Sequence, residues 1–205
     1  KSFMKYKILN ENDYKLTKWS GGYTKELYIY PETAEYKERN FMFRISSATV
    51  ENEESVFTKL NGISRVLMPI TGKLKLIHKN RYEKTLEKFE VENFSGDWDT
   101  TSYGKAADFN LMTNSKCTGT LEHFMVLNND KCLLKIKPKQ HRKTIEYIYN
   151  LGKEVFICIE DKRVILNNKE TFMFDLDGNE SEYLLKIINT TNEHVDLIRT
   201  TVYFK

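Results

Sequence analysis

The chain has no paired cysteine motif, no histidine cluster, no long apolar run and no block of one charge. Its three cysteines, Cys117, Cys132 and Cys158, are odd in number and form no CxxC pair. That argues against a disulfide framework or a zinc knuckle and leaves buried thiols in a reducing compartment. The four histidines, His78, His123, His141 and His194, are scattered, which suits surface or structural roles. No stretch approaches the ~18 uninterrupted apolar residues of a membrane-crossing helix, and the N-terminal residues lack the succession of a signal peptide. A cytoplasmic protein with no membrane partner is expected. The 32 Lys+Arg and 29 Asp+Glu are interleaved for a formal net charge of +3, without the basic helix or RNA motif of a nucleic-acid binder, so no nucleic-acid partner is expected either.

What the chain does have is strands. Its 205 residues, 40% of them hydrophobic, suit one large all-β domain or two small ones. Short aromatic and β-branched runs recur between Gly, Asn or Asp: LYIYP, FMFRIS, RVLMPI, KLKLIH, VFICIE, RVILNN, TFMFDL, YLLKII and VDLIRTTVYF. Several alternate with period two, as in Lys73-Leu74-Lys75-Leu76, and helical period is scarce. Leu121 to Leu134 shows neither pattern and reads as a short helix or the crossing between two halves, with Asn128-Asn129-Asp130 as a turn. The expected domains are therefore residues 1–120 and 121–205, with strands free to exchange between them. Arg65–Lys73 laid over Glu154–Lys162 repeats a polar residue, an apolar run, a polar residue, a turn former and a lysine, which points to a duplicated β unit.

The stretch WSGGYTKE, Trp19 to Glu26, sets a Trp, a Thr and a Glu around two adjacent glycines. Four further polar-aromatic islands follow in order: FMFRISSATV (Phe41–Val50), FTKLNGISRVLMPITG (Phe57–Gly72), FSGD (Phe94–Asp97) and DFNLM (Asp108–Met112). Their order and spacing resemble the HutD/Ves family, up to about Met112. That resemblance implies an all-β bicupin: two antiparallel β-barrel or jelly-roll halves packed together with few helices. It also implies a link to histidine-utilisation operons or stress-induced expression, and no established reaction.

The cupin resemblance permits a test for metal. With the first cupin motif registered on Gly72, Arg65 stands where the motif's Glu belongs, and Thr58 and Leu60 where its histidines belong. In the second motif Phe94-Ser95-Gly96 stands for P-x-G, with Asp99 at the histidine position. In the second half Glu154 takes the Glu position, and Tyr147 and Tyr149 those of the histidines. Transition metals need two or three imidazoles here, so neither a metal nor another cofactor is expected.

A guanidinium inside a barrel needs compensation. Arg65 has two conceivable partners: a protein carboxylate, Asp108 or Glu26, or the carboxylate of a ligand. In FMFRIS, Arg44 and Ser46 share a face, and in DFNLM Asp108, Asn110 and Met112 alternate likewise. The glycine bend would set Trp19 as an apolar wall, or as a plug of the barrel end, and Thr24 and Glu26 on one side of the next strand. The candidate ligand-binding residues are thus Trp19, Thr24, Glu26, Arg44, Ser46, Arg65, Asp108 and Asn110, with FSGD as a turn and Trp98 as a roof or, as is usual beside a turn, as packing. The expected function is metal-independent, non-catalytic binding of a small carboxylated metabolite, an N-acyl amino acid or a histidine-degradation intermediate. The ligand class comes from the resemblance. An isomerase or hydrolase with Asp108 or Glu26 as base and Arg65 as oxyanion stabiliser, and a filled interaction scaffold, stay open beside it, as does a homodimer.

Overall fold

The computed structural model describes residues 5–176, 178 and 181–204. Side chains alternate across nearly every segment, so strands dominate. One 3-10 turn, Tyr36–Glu38, is the only helical element among the described residues. In chain order the strands are β1 (Lys5–Leu9), β2 (Lys15–Trp19), β3 (Gly22–Tyr30), β4 (Phe43–Val50), β5 (Glu54–Val56), β6 (Ser64–Gly72), β7 (Leu74–His78), β8 (Tyr82–Leu86), β9 (Glu92–Ser95), β10 (Thr100–Tyr103) and β11 (Ala106–Thr113). They continue with β12 (Cys117–Val126), β13 (Asp130–Ile136), β14 (Lys143–Asn150), β15 (Val155–Ile159), β16 (Lys162–Leu166), β17 (Thr171–Leu176), β18 (Tyr183–Asn189) and β19 (Val195–Phe204). Each of the nine runs read as strands falls on a strand, some overrunning its ends, as Phe41-Met42 does before β4 and Asn167-Asn168 after β16.

The chain divides into two compact units. One is Tyr14–Leu121; the other joins the stretch up to Asp13 to the chain from Glu122 onward. Strand β1 therefore belongs to the second unit, where it pairs antiparallel with β17. Leu121–Leu134 carries the crossing between the two units, at Leu121–Glu122, and no helix. It is the end of β12, a turn with Asn129 at φ 52°, and the start of β13. Exposed residues such as Met125, Leu127 and Leu133 interrupt the alternation that would have announced these strands.

Each unit is two sheets. The first has the orders β2-β3-β4-β11-β6-β9 and β5-β10-β7-β8; the second has β1-β17-β14-β19-β12 and β13-β18-β15-β16. Replacing β4, β11, β6 and β9 by β12, β19, β14 and β17 turns the four-strand run of one large sheet into that of the other, read from its opposite edge, with β2-β3 and β1 as unmatched edge additions. The small sheets map in the same way. The duplication is real at the level of topology, but its register differs from the sequence match. Arg65–Lys73 belongs to β6, whose equivalent is β14, whereas Glu154–Lys162 covers β15, the equivalent of β7. A polar residue, an apolar run and a turn describe any strand-turn-strand and fix no register.

The two interiors are filled differently. In the second unit one continuous apolar cluster, with Ile148, Ile157, Phe172, Phe174 and Leu185 all at 1% exposure or less, occupies the middle. Beside Ile148, two residues along β14, the carboxylate of Glu146 is held by Arg199 through Nε–Oε2 at 2.9 Å and Nη2–Oε1 at 2.7 Å. Thr201 Oγ1 donates to the same carboxylate at 3.0 Å. This pair went unnoticed in the sequence because KTIEYIYN reads as a polar-apolar mixture. In the first unit two smaller apolar clusters lie among the described residues, one around Phe41, Leu60 and Met112 and one around Leu67, Leu76 and Phe94, with Phe43, Ile45 and Phe109 buried outside both.

Removing one member of a buried pair strands the other charge, whereas removing both does not. Arg199→Met leaves the buried Glu146 carboxyl with Thr201 alone and is therefore expected to lower unfolding stability by about 3 kcal/mol or more, and the double change Glu146→Met with Arg199→Met by clearly less. Urea denaturation midpoints of the two variants check the order.

Candidate functional site

A cavity of about 530 Å³ lies in the first unit. Met112 from one apolar cluster and Leu67 from the other both line it. The alternation of neighbouring strands builds its polar wall. Arg44 and Ser46 come from β4, Asp108 and Asn110 from β11, and Arg65 from β6. These are central strands of the six-stranded sheet, in register Ser46↔Asn110 and Met112↔Arg65. The β11–β6 register shifts between Ala107 and Asp108, which sets Pro69 opposite Asp108. All eight sequence-nominated residues line this one cavity.

Arg65 is the group with the least protein compensation. It is buried, its Nη2 donates to Asn110 Oδ1 at 3.2 Å, and its Nε has no hydrogen-bond partner among the described residues. Its guanidinium lies over the rings of Phe57 at 4.9 Å and Phe94 at 5.3 Å, contacts that favour a cation without satisfying its N–H groups. Burial holds its pKa below the usual arginine value, against the raising effect of Tyr36 and Asp108.

The two protein carboxylates weighed as partners for Arg65 are both engaged elsewhere. Glu26 accepts from Arg44 Nε at 2.8 Å, and Arg44 also stacks over Tyr36 at 4.2 Å. Asp108 accepts from the side-chain amide of Asn110. Asn110 thus bridges Arg65 and Asp108, taking a hydrogen bond from the cation and giving one to the carboxyl. Burial pushes the Asp108 carboxyl up to about 7, while Arg65, Asn110 and the Ala48 amide pull it down. A carboxyl that titrates near neutrality is a weaker counter-charge to Arg65 than an ordinary carboxylate, which is fully ionised there.

The glycine bend belongs to this wall. Trp19 Nε1 donates to Thr24 Oγ1 at 3.1 Å. A Cβ on Gly21 would meet the Trp19 ring at 2.2 Å, and one on Gly22, at φ 153°, would meet the Thr49 carbonyl oxygen at 1.9 Å. Both glycines are required for the indole to fold back over the bend and for β3 to reach β4. Trp19 is 37% exposed and lines the cavity as a wall.

Trp98 does not roof the cavity. It packs at 5.2 Å on His78, a buried histidine whose Nδ1 is 2.8 Å from Thr100 Oγ1. FSGD is the end of β9 and the turn after it: the Asp97 N–H donates to Ser95 Oγ at 3.1 Å, and Asp97 Oδ1 accepts from the Gly62 N–H at 3.0 Å. Tyr36 and Phe57 line the cavity and were not nominated. Phe57 opens the FTKLNG island and could have been found by asking which aromatic faces Arg65; Tyr36 sits in a polar stretch, Pro31–Asn40, that carries no periodic signal.

A family model for HutD matches residues 11–185. The chain belongs to the HutD family. No curated protein sequence matches it. A conserved protein of unknown function from Pseudomonas aeruginosa superposes with a TM-score of 0.80 at 17% identity, over 97% of this chain and 98% of that one. HutD from Pseudomonas fluorescens superposes at 0.68 and 19% identity, over 96% and 98%. A cupin 2 conserved barrel domain protein from Leptotrichia buccalis gives 0.52 and 12%, over 97% and 96%. The fold of this HutD-family chain is that of the cupins, all-β with antiparallel sheets. No helix among the described residues is long and apolar enough to cross a membrane.

The cupin metal positions do not fit a metal here. The motif register sets Arg65 at the Glu position and Thr58 and Leu60 at those of the histidines; among the described residues no group of three or more His, Cys, Asp or Glu side chains is placed to hold a metal ion, and a guanidinium on the cavity wall would repel a cation. In the second half, β14 and not β15 is the equivalent of β6, so Glu154, outside any strand, is not the counterpart of Arg65.

Because the Asp108 carboxyl is raised on folding from its ordinary value of 3.8 to about 7, it binds its proton more tightly folded than unfolded. Its contribution to stability is complete below about pH 4 and is lost as pH rises through about 7. Asp108→Asn is expected to flatten that slope, as read from thermal midpoints across this window.

Proposed function

We propose that this chain binds a small carboxylated metabolite without a metal and without turnover, an N-acyl amino acid or a histidine-degradation intermediate, in a regulatory or stress-related role in the cytoplasm. The observation that carries the reading is Arg65: a buried guanidinium on the wall of a cavity of about 530 Å³, with an unpartnered Nε and no ion pair to a protein carboxylate among the described residues. A ligand carboxylate offers the fork geometry that Asn110 does not, through charge-assisted hydrogen bonds. The paired Arg44–Glu26 and the aromatic wall of Trp19, Tyr36 and Phe57 would border the rest of the ligand. Histidine degradation enters through the family alone. A filled scaffold is disfavoured by the volume of the cavity. The Asp108 carboxyl near neutrality keeps a general base in view; turnover abolished in Asp108→Asn with binding retained would favour that second reading.

Isothermal titration with a panel of N-acetyl amino acids and small carboxylic acids tests the proposal. Arg65→Ala is expected to weaken any acid that binds by about 10- to 150-fold, the loss of one charge-assisted hydrogen bond. No heat with any acid, or equal affinity in wild type and Arg65→Ala, would remove the idea.

A further inference from the structure

Asp108 is a carboxyl group lining a cavity whose cation suits another carboxylate. It is 2% exposed. On its own strand, β11, Asn110 donates to it and accepts from Arg65. From β4 the Ala48 amide bonds its carboxylate, and Arg44 lines the same space. From β6 comes Arg65, from β3 Glu26, already held by Arg44, from the 3-10 turn Tyr36, and from β2 Lys15. Glu35 and Lys37 line the same cavity from either side of Tyr36. None of these cations forms an ion pair with Asp108 among the described residues; Asn110 stands between it and the nearest charge that favours its ionisation.

This geometry makes the ionisation of Asp108 depend on what Arg65 faces. With no ligand, the guanidinium favours the carboxylate. A ligand carboxylate seated on Arg65 neutralises that help and adds a second negative charge in a low-dielectric space. Two carboxylates that share such a site do not both stay ionised. The ligand is the stronger acid and carries the direct contact to the cation, so the proton goes to Asp108.

We propose that Asp108 is the specificity-determining acid of this cavity: it takes one proton from solvent as the ligand carboxylate binds Arg65, and its O–H then donates a hydrogen bond into the cavity. The proposal rests on the reading of Arg65 as a carboxylate receptor. One proton leaves the buffer and joins a carboxylate oxygen of Asp108; no other bond changes. A neutral acid at this point favours a ligand that brings its own negative charge together with an acceptor for that O–H.

The test is calorimetric titration of the whole chain with N-acetylglycine, N-acetylleucine and N-acetylglutamine, which stay anionic between about pH 6 and 8.5. Each is run in phosphate and in Tris, whose ionisation heats differ. Wild type is expected to take up about half a proton at pH 7, approaching about one near pH 8.5, with affinity falling up to about tenfold per pH unit above 7. Asp108→Asn keeps a donor of the same size and is expected to bind with equal heats in both buffers and no pH slope. Should that variant not fold, the wild-type carboxyl resonance of Asp108, followed by carbon NMR with and without the acids, reads the same shift. Binding with equal heats in both buffers, or proton uptake that persists in Asp108→Asn, overturns the proposal and leaves the Arg65 receptor standing. No heat from any of these acids, or from the wider panel, removes both.

Discussion

One buried guanidinium sets the terms for this protein. A charge taken out of water costs several kcal/mol unless something of opposite sign or strong hydrogen-bonding power meets it. The two units show two answers. In the second, Arg199 meets Glu146 in a two-point hydrogen-bonded pair beside a continuous apolar core. In the first, Arg65 meets two phenyl rings and one amide oxygen, two smaller apolar clusters lie among the described residues, and a cavity remains. The same succession of strands thus encloses a filled interior in one case and a receptive one in the other.

The hollow depends on backbone details as much as on charge. Period-two alternation puts Arg44, Arg65, Asp108 and Asn110 on the cavity side, while Phe43, Ile45 and Phe109 are buried on the opposite faces of β4 and β11. A register shift places Pro69, which has no N–H to give, opposite Asp108. The glycine pair lets the indole of Trp19 close one wall through Thr24. Glu26 neutralises Arg44, and Lys15 and Lys37 line the space from exposed positions, so Arg65 is the buried cation left facing it with little protein compensation.

Much of this was legible in the sequence because it rests on alternation. Once FMFRIS and DFNLM are read as strands, the facing of Arg44, Ser46, Asp108 and Asn110 follows, and motif order supplied the family. What escaped has physical reasons. Strand β2 is exposed at every position and β8 at all but one, so neither shows an apolar face. The repeat register failed because strand-turn-strand patterns are interchangeable, and only pairing partners tell β14 from β15. The Arg44–Glu26 pairing could not be chosen over Arg65–Glu26, since alternation gives a face and not a neighbour. Trp98, beside a turn where a Trp usually packs, does pack, on a buried His78.

A crystal structure of the chain grown with an N-acetyl amino acid tests the central claim most directly. The account predicts a carboxylate within hydrogen-bond distance of the Arg65 guanidinium, with Asn110 still bonded to Asp108. It is contradicted if Arg65 forms a direct ion pair with Asp108 or Glu26 and the cavity beside it holds only water.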